Sequence, residues 1–133
     1  MKTIRENSEL NKRLFWLEDI DDGYLEKIYQ SSSCIIAASY GEGFGLPLIE
    51  AAFKNTHIIA RDIPVFREVA GEHAYYFNGL NPEDLADAVK KWVKIYEAGD
   101  HPKSKNIKVL TWKESASNLV SALLKQYESH NLL

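Results

Sequence analysis

The fold of this 133-residue chain is decided by the stretch Gly41-Glu-Gly-Phe-Gly-Leu-Pro-Leu-Ile-Glu-Ala-Ala52. Directly before it, the apolar run at 34–38 predicts a short, fully buried strand. Gly43 and Gly45 are typical of a tight loop, because glycine adopts positive φ and lets the backbone approach a ligand closely. Pro47 suits the first turn of a following helix, where a missing N–H costs nothing. Strand, glycine loop and helix together form the unit with which α/β folds hold nucleotides.

Two carboxylates stand in this unit, Glu42 in the loop and Glu50 in the opening turns of the helix. The free N–H groups of residues 43–46 are expected to point outward at the positive end of the helix dipole. A phosphate favours such amides but is repelled by carboxylates, so the glutamates make most sense as acceptors for sugar hydroxyls. The residues alone are equally compatible with a surface loop and a helix glutamate placed for the dipole.

Strands and helices alternate along the rest of the chain. We predict strands at 13–17, 34–38, 56–60 and 73–77, and helices that begin at Asp21-Asp22, near 65, at Asn81-Pro82 and at the capping box Thr111-Trp-Lys-Glu114. The apolar stripes of the last two helices are expected to pack on the core. This order predicts an α/β fold, a Rossmann-like and mainly parallel sheet with helices on both faces. Ligands of such sheets bind beyond the carboxyl ends of the strands, so Glu42, Arg61 and Asp62 are expected on one rim.

Composition narrows the function classes. The net charge of −3 and the lack of a basic block argue against nucleic acid as a partner. The one cysteine, Cys34, lies in an apolar strand and is interpreted as a core thiol, which fits a reducing cytoplasm. No signal peptide or membrane span is recognisable, so we expect a cytoplasmic protein, with peripheral contact at the inner face of the membrane left open. No cluster of His, Asp or Cys has ligand spacing, so no metal site is expected, and His57 is interpreted as a strand-edge residue.

The stretch Ser39-Tyr-Gly-Glu-Gly-Phe-Gly-Leu-Pro-Leu-Ile-Glu-Ala51 resembles a family signature, two glutamates separated by seven residues, of the retaining family-4 (group 1) glycosyltransferases. Further runs are similar to later landmarks of that family in order and spacing, at 58–71, 74–77, 81–86 and 112–116. The resemblance extends from about residue 14 to residue 127, nearly the whole chain. Any one of these motifs is weak, whereas the ordered series is specific.

The resemblance implies a place in a larger architecture. Enzymes of this family have the GT-B arrangement, two Rossmann-like domains with the active site between them. Residues 1–133 would be a truncated C-terminal nucleotide-sugar-binding domain, without the N-terminal acceptor domain and without the arginine and lysine that clamp the donor diphosphate. We therefore expect that the chain by itself transfers no sugar, and that this fragment self-associates through the surfaces left uncovered.

The resemblance also implies residue roles. Glu50 would bond the ribose hydroxyls of the nucleotide, and Glu42 would contact the donor sugar near the transferred carbon as the catalytic carboxylate. Backbone amides would hold sugar hydroxyls and phosphate oxygens, at Gly43, Phe44, Gly45 and Leu46. Arg61 and Asp62 either line the cleft or form a surface ion pair, and the sequence leaves both open.

The function implied is donor binding in a retaining glycosyltransferase that moves a hexose to a glycan or lipid-linked acceptor in polysaccharide biosynthesis. A nucleotide-diphosphate sugar would be the donor substrate, with no separate cofactor. The run at 61–69 resembles bacterial surface-polysaccharide transferases, often mannosyltransferases. Two alternatives stay open: a non-catalytic nucleotide-sugar-binding or assembly module, and a nucleotide-sugar epimerase or phosphorylase of similar architecture. The sequence does not identify the nucleotide, the sugar or the acceptor.

Overall fold

A three-stranded parallel sheet lies at the centre of the computed structural model, which describes residues 2–130, with side chains from 4 to 127. The strands are β1 (Cys34–Ala37), β2 (His57–Arg61) and β3 (Tyr75–Phe77), and β2 lies in the middle. Ala37 is paired with Ala60, and Arg61 with Phe77, so the carboxyl ends of the three strands meet on one rim. The predicted fold class is confirmed. Met1 and the last three residues of the predicted domain lie outside the described residues.

Every helix but the first begins where the sequence signals predict. Asp21 caps its helix by accepting a hydrogen bond from the Tyr24 N–H at 2.7 Å. Thr111 and Glu114 form the reciprocal capping box, in which the carboxylate accepts from the Thr111 N–H at 2.7 Å. The bounds are α1 (Lys2–Arg5), α2 (Asp22–Ser31), α3 (Leu46–Phe53), α4 (Pro64–Ala70), α5 (Pro82–Glu97) and α6 (Trp112–His130), with a 3₁₀ turn at Ser104–Asn106.

Helices pack on both faces of the sheet because side chains alternate along β2. On one face, Ile58 and Ala60 join a buried cluster with residues of α3 and α4, namely Leu48, Ala51, Ala52, Phe66 and Ala70. On the other face, Ile59 packs with Phe77 and with Ala88 and Trp92 of α5. The central strand is therefore buried on both sides, as expected for a parallel sheet.

The predicted strand at 13–17 is wrong. Residues 15–18 have no regular structure, and Leu14 makes only an isolated bridge with Leu10. The physical reason is a local turn: the N–H groups of residues 12–14 all donate to the Glu9 carbonyl at 3.0 Å. Backbone groups used in such a turn are not available for a strand ladder.

Two predictions of burial also fail. Strand β1 is an edge strand, and Ile36 is 48% exposed, so the run at 34–38 is not fully buried. The apolar stripe of α6 does not reach the core: Trp112 is 94% exposed, and the other stripe residues from 119 to 127 are also exposed. Within the described residues no element covers this stripe, which we call the α6 stripe (Trp112, Leu119, Val120, Leu123, Leu124 and Tyr127).

Candidate functional site

The glycine loop joins β1 to α3 at the carboxyl rim of the sheet. Gly45 immediately precedes α3 with φ 76°, a left-handed conformation that favours glycine. A Cβ atom at this position would make van der Waals contact with Phe66 and Val69 at 3.4 Å, so it is the conformation that favours glycine. Within residues 2–130, nothing accepts a hydrogen bond from the backbone N–H groups of residues 43–46. Gly43, Phe44 and Leu46 are exposed, so their N–H groups are accessible to a ligand, whereas Gly45 is buried.

Glu42 lies inside this loop and is half-buried. Its Oε1 accepts a hydrogen bond of 2.8 Å from Ser39 Oγ, three residues earlier. The bond ties the carboxylate to the end of β1 and leaves its second oxygen without a partner among the described residues. Glu42 is thus a local feature of the loop, held by a neutral hydroxyl.

Glu50 lies in the second turn of α3 and is exposed. The Tyr29 hydroxyl of α2 donates a hydrogen bond of 2.9 Å to Glu50 Oε2. Burial, and next the hydrogen bond to Glu50, raise the pKa of Tyr29 to about 12, so the phenol remains a donor at neutral pH. Lys54, one turn further on, forms its ion pair with Glu26 instead. Glu50 therefore has no cationic partner in the part of the chain that the structure describes.

Arg61 and Asp62 are neighbours in sequence but do not pair with each other. Asp62 accepts two hydrogen bonds of 2.7 Å from Arg67, and these bonds lower the pKa of the Asp62 carboxyl. Asp62 thus pairs with Arg67 of α4 and not with Arg61.

Arg61, the last residue of β2 and only 8% exposed, connects the carboxyl ends of all three strands. Its Nε donates to the Ala38 carbonyl after β1 at 3.2 Å, and its Nη1 donates to the Gly79 carbonyl after β3. The guanidinium also lies 4.7 Å from the ring centroid of Tyr40 and 4.9 Å from that of Phe77. The rim loops therefore share one buried cation.

The structure brings Glu42, the free amides and Arg61 to one rim, with Glu50 one to two turns into α3 and Asp62 engaged elsewhere. Sequence reasoning missed two contacts here, the Tyr29 hydroxyl on Glu50 and the Tyr40 ring on Arg61. Tyr29 and its partner Glu50 are 21 residues apart in the chain. No local pattern signals a contact of that length.

A second polar cluster lies at the opposite, amino end of β2. The Nε2 atoms of His57 and His101 lie 3.1 Å apart, and Lys103 donates to His101 Nε2 at 2.8 Å. Trp92 stacks on Tyr96 at a centroid distance of 4.8 Å beside these rings. Burial is the main cause that lowers the pKa of both histidines. We call these five residues the histidine cluster.

The described residues contain no group of three or more His, Cys, Asp or Glu side chains that could hold a metal ion. Across residues 2–130, no helix combines the length and apolar character needed to cross a membrane.

Comparison with known proteins gives one family. The sequence profile of the family described as "Glycosyl transferases group 1" matches residues 1–109. The serotype-specific mannosyltransferase WbdA of Escherichia coli is 54% identical over 120 residues, which are 90% of this chain and 15% of that protein. The O-antigen chain mannosyltransferase RfbU of Salmonella typhimurium is 33% identical over 90 residues, 68% of this chain and 26% of that protein. The chain thus spans about one seventh of the length of WbdA.

Proposed function

The chain belongs to the group 1 glycosyl transferases, and we propose that it is the part of such an enzyme that binds the nucleotide-sugar donor. WbdA is named as a serotype-specific mannosyltransferase and RfbU as an O-antigen chain mannosyltransferase. The proposed transferred hexose is therefore mannose, and the proposed pathway is bacterial polysaccharide biosynthesis. A cytoplasmic location, with peripheral contact at the inner face of the membrane, is part of this proposal.

The observation that carries the proposal is the state of Glu50. Its carboxylate is exposed, and its described partner is a neutral hydroxyl rather than a cation. The carboxylate therefore keeps most of its acceptor capacity. A ribose presents two adjacent hydroxyl donors, and each hydrogen bond to a charged acceptor contributes about 1.5–3 kcal/mol.

Glu42 and the free amides of residues 43–46 supply the proposed chemistry. When the bond between sugar and phosphate breaks, negative charge develops on the leaving diphosphate and positive charge on the sugar ring. Fixed amide donors stabilise the first and a fixed carboxylate stabilises the second. Glu42 is suited to this role because Ser39 holds it in the loop beside those amides. A retaining transfer without a metal ion is part of the proposal.

The glycan or lipid-linked acceptor would be bound by a domain other than this one, as the GT-B resemblance implies. The chain alone is then expected to transfer no sugar. The exposed α6 stripe is expected to make the isolated chain self-associate, because apolar surface of this kind associates in water. Light scattering over a range of concentrations tests this, and a monomer at all concentrations would contradict it.

The binding experiment is an NMR titration of the chain with nucleotide sugars that carry guanosine, uridine, adenosine or thymidine diphosphate. One nucleotide is expected to bind best. Glu50→Gln should weaken that binding by about 1.5–3 kcal/mol, on the scale of a charged hydrogen bond. The matched control is Glu97→Gln, an exposed glutamate at the end of α5. Equal affinities of Glu50→Gln and the wild-type chain would contradict the assignment of Glu50.

A further inference from the structure

Tyr29 contacts the donor-site carboxylate from a different helix. Its hydroxyl donates to Glu50 Oε2 at 2.9 Å, across the boundary between α2 and α3. Glu50 itself is exposed, so its side chain would otherwise rotate freely in solvent. A single directed hydrogen bond therefore limits the orientation of the carboxylate.

The tyrosine is well placed to impose an orientation because it is itself fixed. Its ring packs against the buried cluster formed by α3, α4 and β2. Its carbonyl accepts a hydrogen bond of 2.9 Å from Oγ1 of Thr56, which is buried immediately before β2. The phenol hydroxyl thus reaches from the core to the Glu50 carboxylate on α3. Its hydroxyl occupies one acceptor position on Oε2 and leaves Oε1 free.

The Tyr29 hydroxyl is a neutral partner of Glu50, and this affects how well Glu50 can accept a ribose hydroxyl. A lysine or arginine bonded to Glu50 would neutralise the charge that a ribose hydroxyl is to meet. Lys54, the nearest cation along α3, is engaged by Glu26 of α2. Two contacts between the same pair of helices therefore have complementary effects: one orients Glu50, and the other keeps a cation away from it.

We propose that Tyr29 is a positioning residue that holds the Glu50 carboxylate in the orientation that receives the hydroxyl pair of the donor ribose. This inference rests on the proposed function. The chemical class recognised is a ribonucleotide, and the discrimination predicted is between ribose and 2′-deoxyribose. Tyr29 does not contact the nucleotide, so its effect passes through Glu50.

The test is an NMR titration of the chain with GDP and UDP, each beside its 2′-deoxy counterpart. The variants are Tyr29→Phe, Glu50→Gln and the double variant. The matched control is Tyr24→Phe, which removes a tyrosine hydroxyl from the same helix where the structure shows no partner for it among the described residues. Tyr29→Phe is expected to lower ribonucleotide affinity about 3- to 10-fold, the range of one hydrogen bond. It should also reduce the ratio between ribonucleotide and deoxynucleotide affinities.

The ratio separates positioning from a merely structural role, because loosened packing weakens both nucleotides alike. In the double variant, the loss should be smaller than the sum of the two single losses. If Glu50→Gln removes the ribose preference while Tyr29→Phe preserves it, the role of Tyr29 is refuted and the proposed function stands. If the wild-type chain shows no ribose preference or binds no nucleotide at millimolar concentration, the proposed function fails and the inference fails with it.

Discussion

The polar groups at the two ends of strand β2 differ in how fully they are hydrogen-bonded within the chain. At the carboxyl end, Arg61 bonds to the carbonyls of Ala38 and Gly79, while Glu42 and Glu50 nearby keep unneutralised carboxylates. At the amino end, the rings of His57 and His101 bond to each other under Trp92 and Tyr96.

The difference motivates a proposed division of roles between the two ends. At the carboxyl rim, the amides of the glycine loop and the carboxylates of Glu42 and Glu50 have hydrogen-bonding capacity left over among the described residues. In the histidine cluster, His101 and Trp92 are buried, His57 and Lys103 are half-buried, and His57 and Lys103 both bond to His101. His57 Nδ1 and Trp92 Nε1 are buried without a described hydrogen-bond partner. Such unpaired polar atoms are destabilising, and the packing of the surrounding rings must offset this. We therefore assign ligand binding to the carboxyl rim and stability to the histidine cluster.

The largest effect expected at the amino end is on stability. Trp92→Ala removes the indole that packs on Ile59 and stacks on Tyr96, and should destabilise the fold by about 3–5 kcal/mol. Urea denaturation followed by circular dichroism measures this. The folded fraction of the Trp92→Ala variant should have the nucleotide affinity of the wild-type chain. Loss of nucleotide affinity in fully folded Trp92→Ala would break the division between the two ends.

The largest effect expected at the carboxyl rim is on turnover. Glu42→Ala should lower kcat by about 10²–10³-fold in an enzyme that contains this domain, the scale for removing one fixed transition-state stabiliser. Affinity for the nucleoside diphosphate should be nearly unchanged, because Glu42 is assigned to the sugar. Transferase assays and product-inhibition constants give the two quantities. Parallel losses in both would mean that Glu42 only organises the loop.

The smallest effect expected concerns pH. Burial lowers the pKa of His57 and His101 in the folded chain, so the unfolded chain binds protons more readily. Stability contributed by neutral histidines is present above the ordinary pKa of about 6.5 and falls as pH drops below it, until the lowered folded pKa values are reached. Lys103 lowers both pKa values further, because its ammonium repels an imidazolium beside it.

Urea denaturation at several pH values between 5 and 7.5 measures this slope. The comparison is between the wild-type chain and a double variant, His57→Gln with His101→Gln. The wild-type stability should decline more steeply with acid. Asp62, whose pKa is lowered, contributes only at more acidic pH and does not confuse the comparison. Identical slopes would show that the histidine cluster does not set the acid sensitivity.

Features set by neighbouring residues could be predicted from the sequence. The caps at Asp21 and Thr111, Pro47 in the first turn of α3 and the alternation of strands and helices are all local. The position of Glu42 beside free amides follows from the same loop. These features confirm that short-range rules suffice where the partners are a few residues apart.

The predictions that failed have two kinds of cause, a competing local turn and the long-range packing of the chain. The run at 13–17 has strand propensity, but its first two N–H groups are bonded to Glu9 in a turn. The α6 stripe has helical periodicity, yet periodicity does not supply a surface to pack on. The Tyr29–Glu50 and Arg61–Gly79 contacts join residues 21 and 18 positions apart. Burial, too, is a property of the assembled fold, as the exposed edge at Ile36 demonstrates.

The most direct test of the division between the two ends of β2 is a map of amide chemical shifts during titration of the chain with a nucleoside diphosphate. We expect the amides of residues 43–46 and of Glu50 to shift with one common dissociation constant. The amides of His57, at the amino end of β2, and of its partner His101 should keep their chemical shifts. Shifts centred on the histidine cluster, with none at the carboxyl rim, would contradict the assignment of ligand binding to that rim.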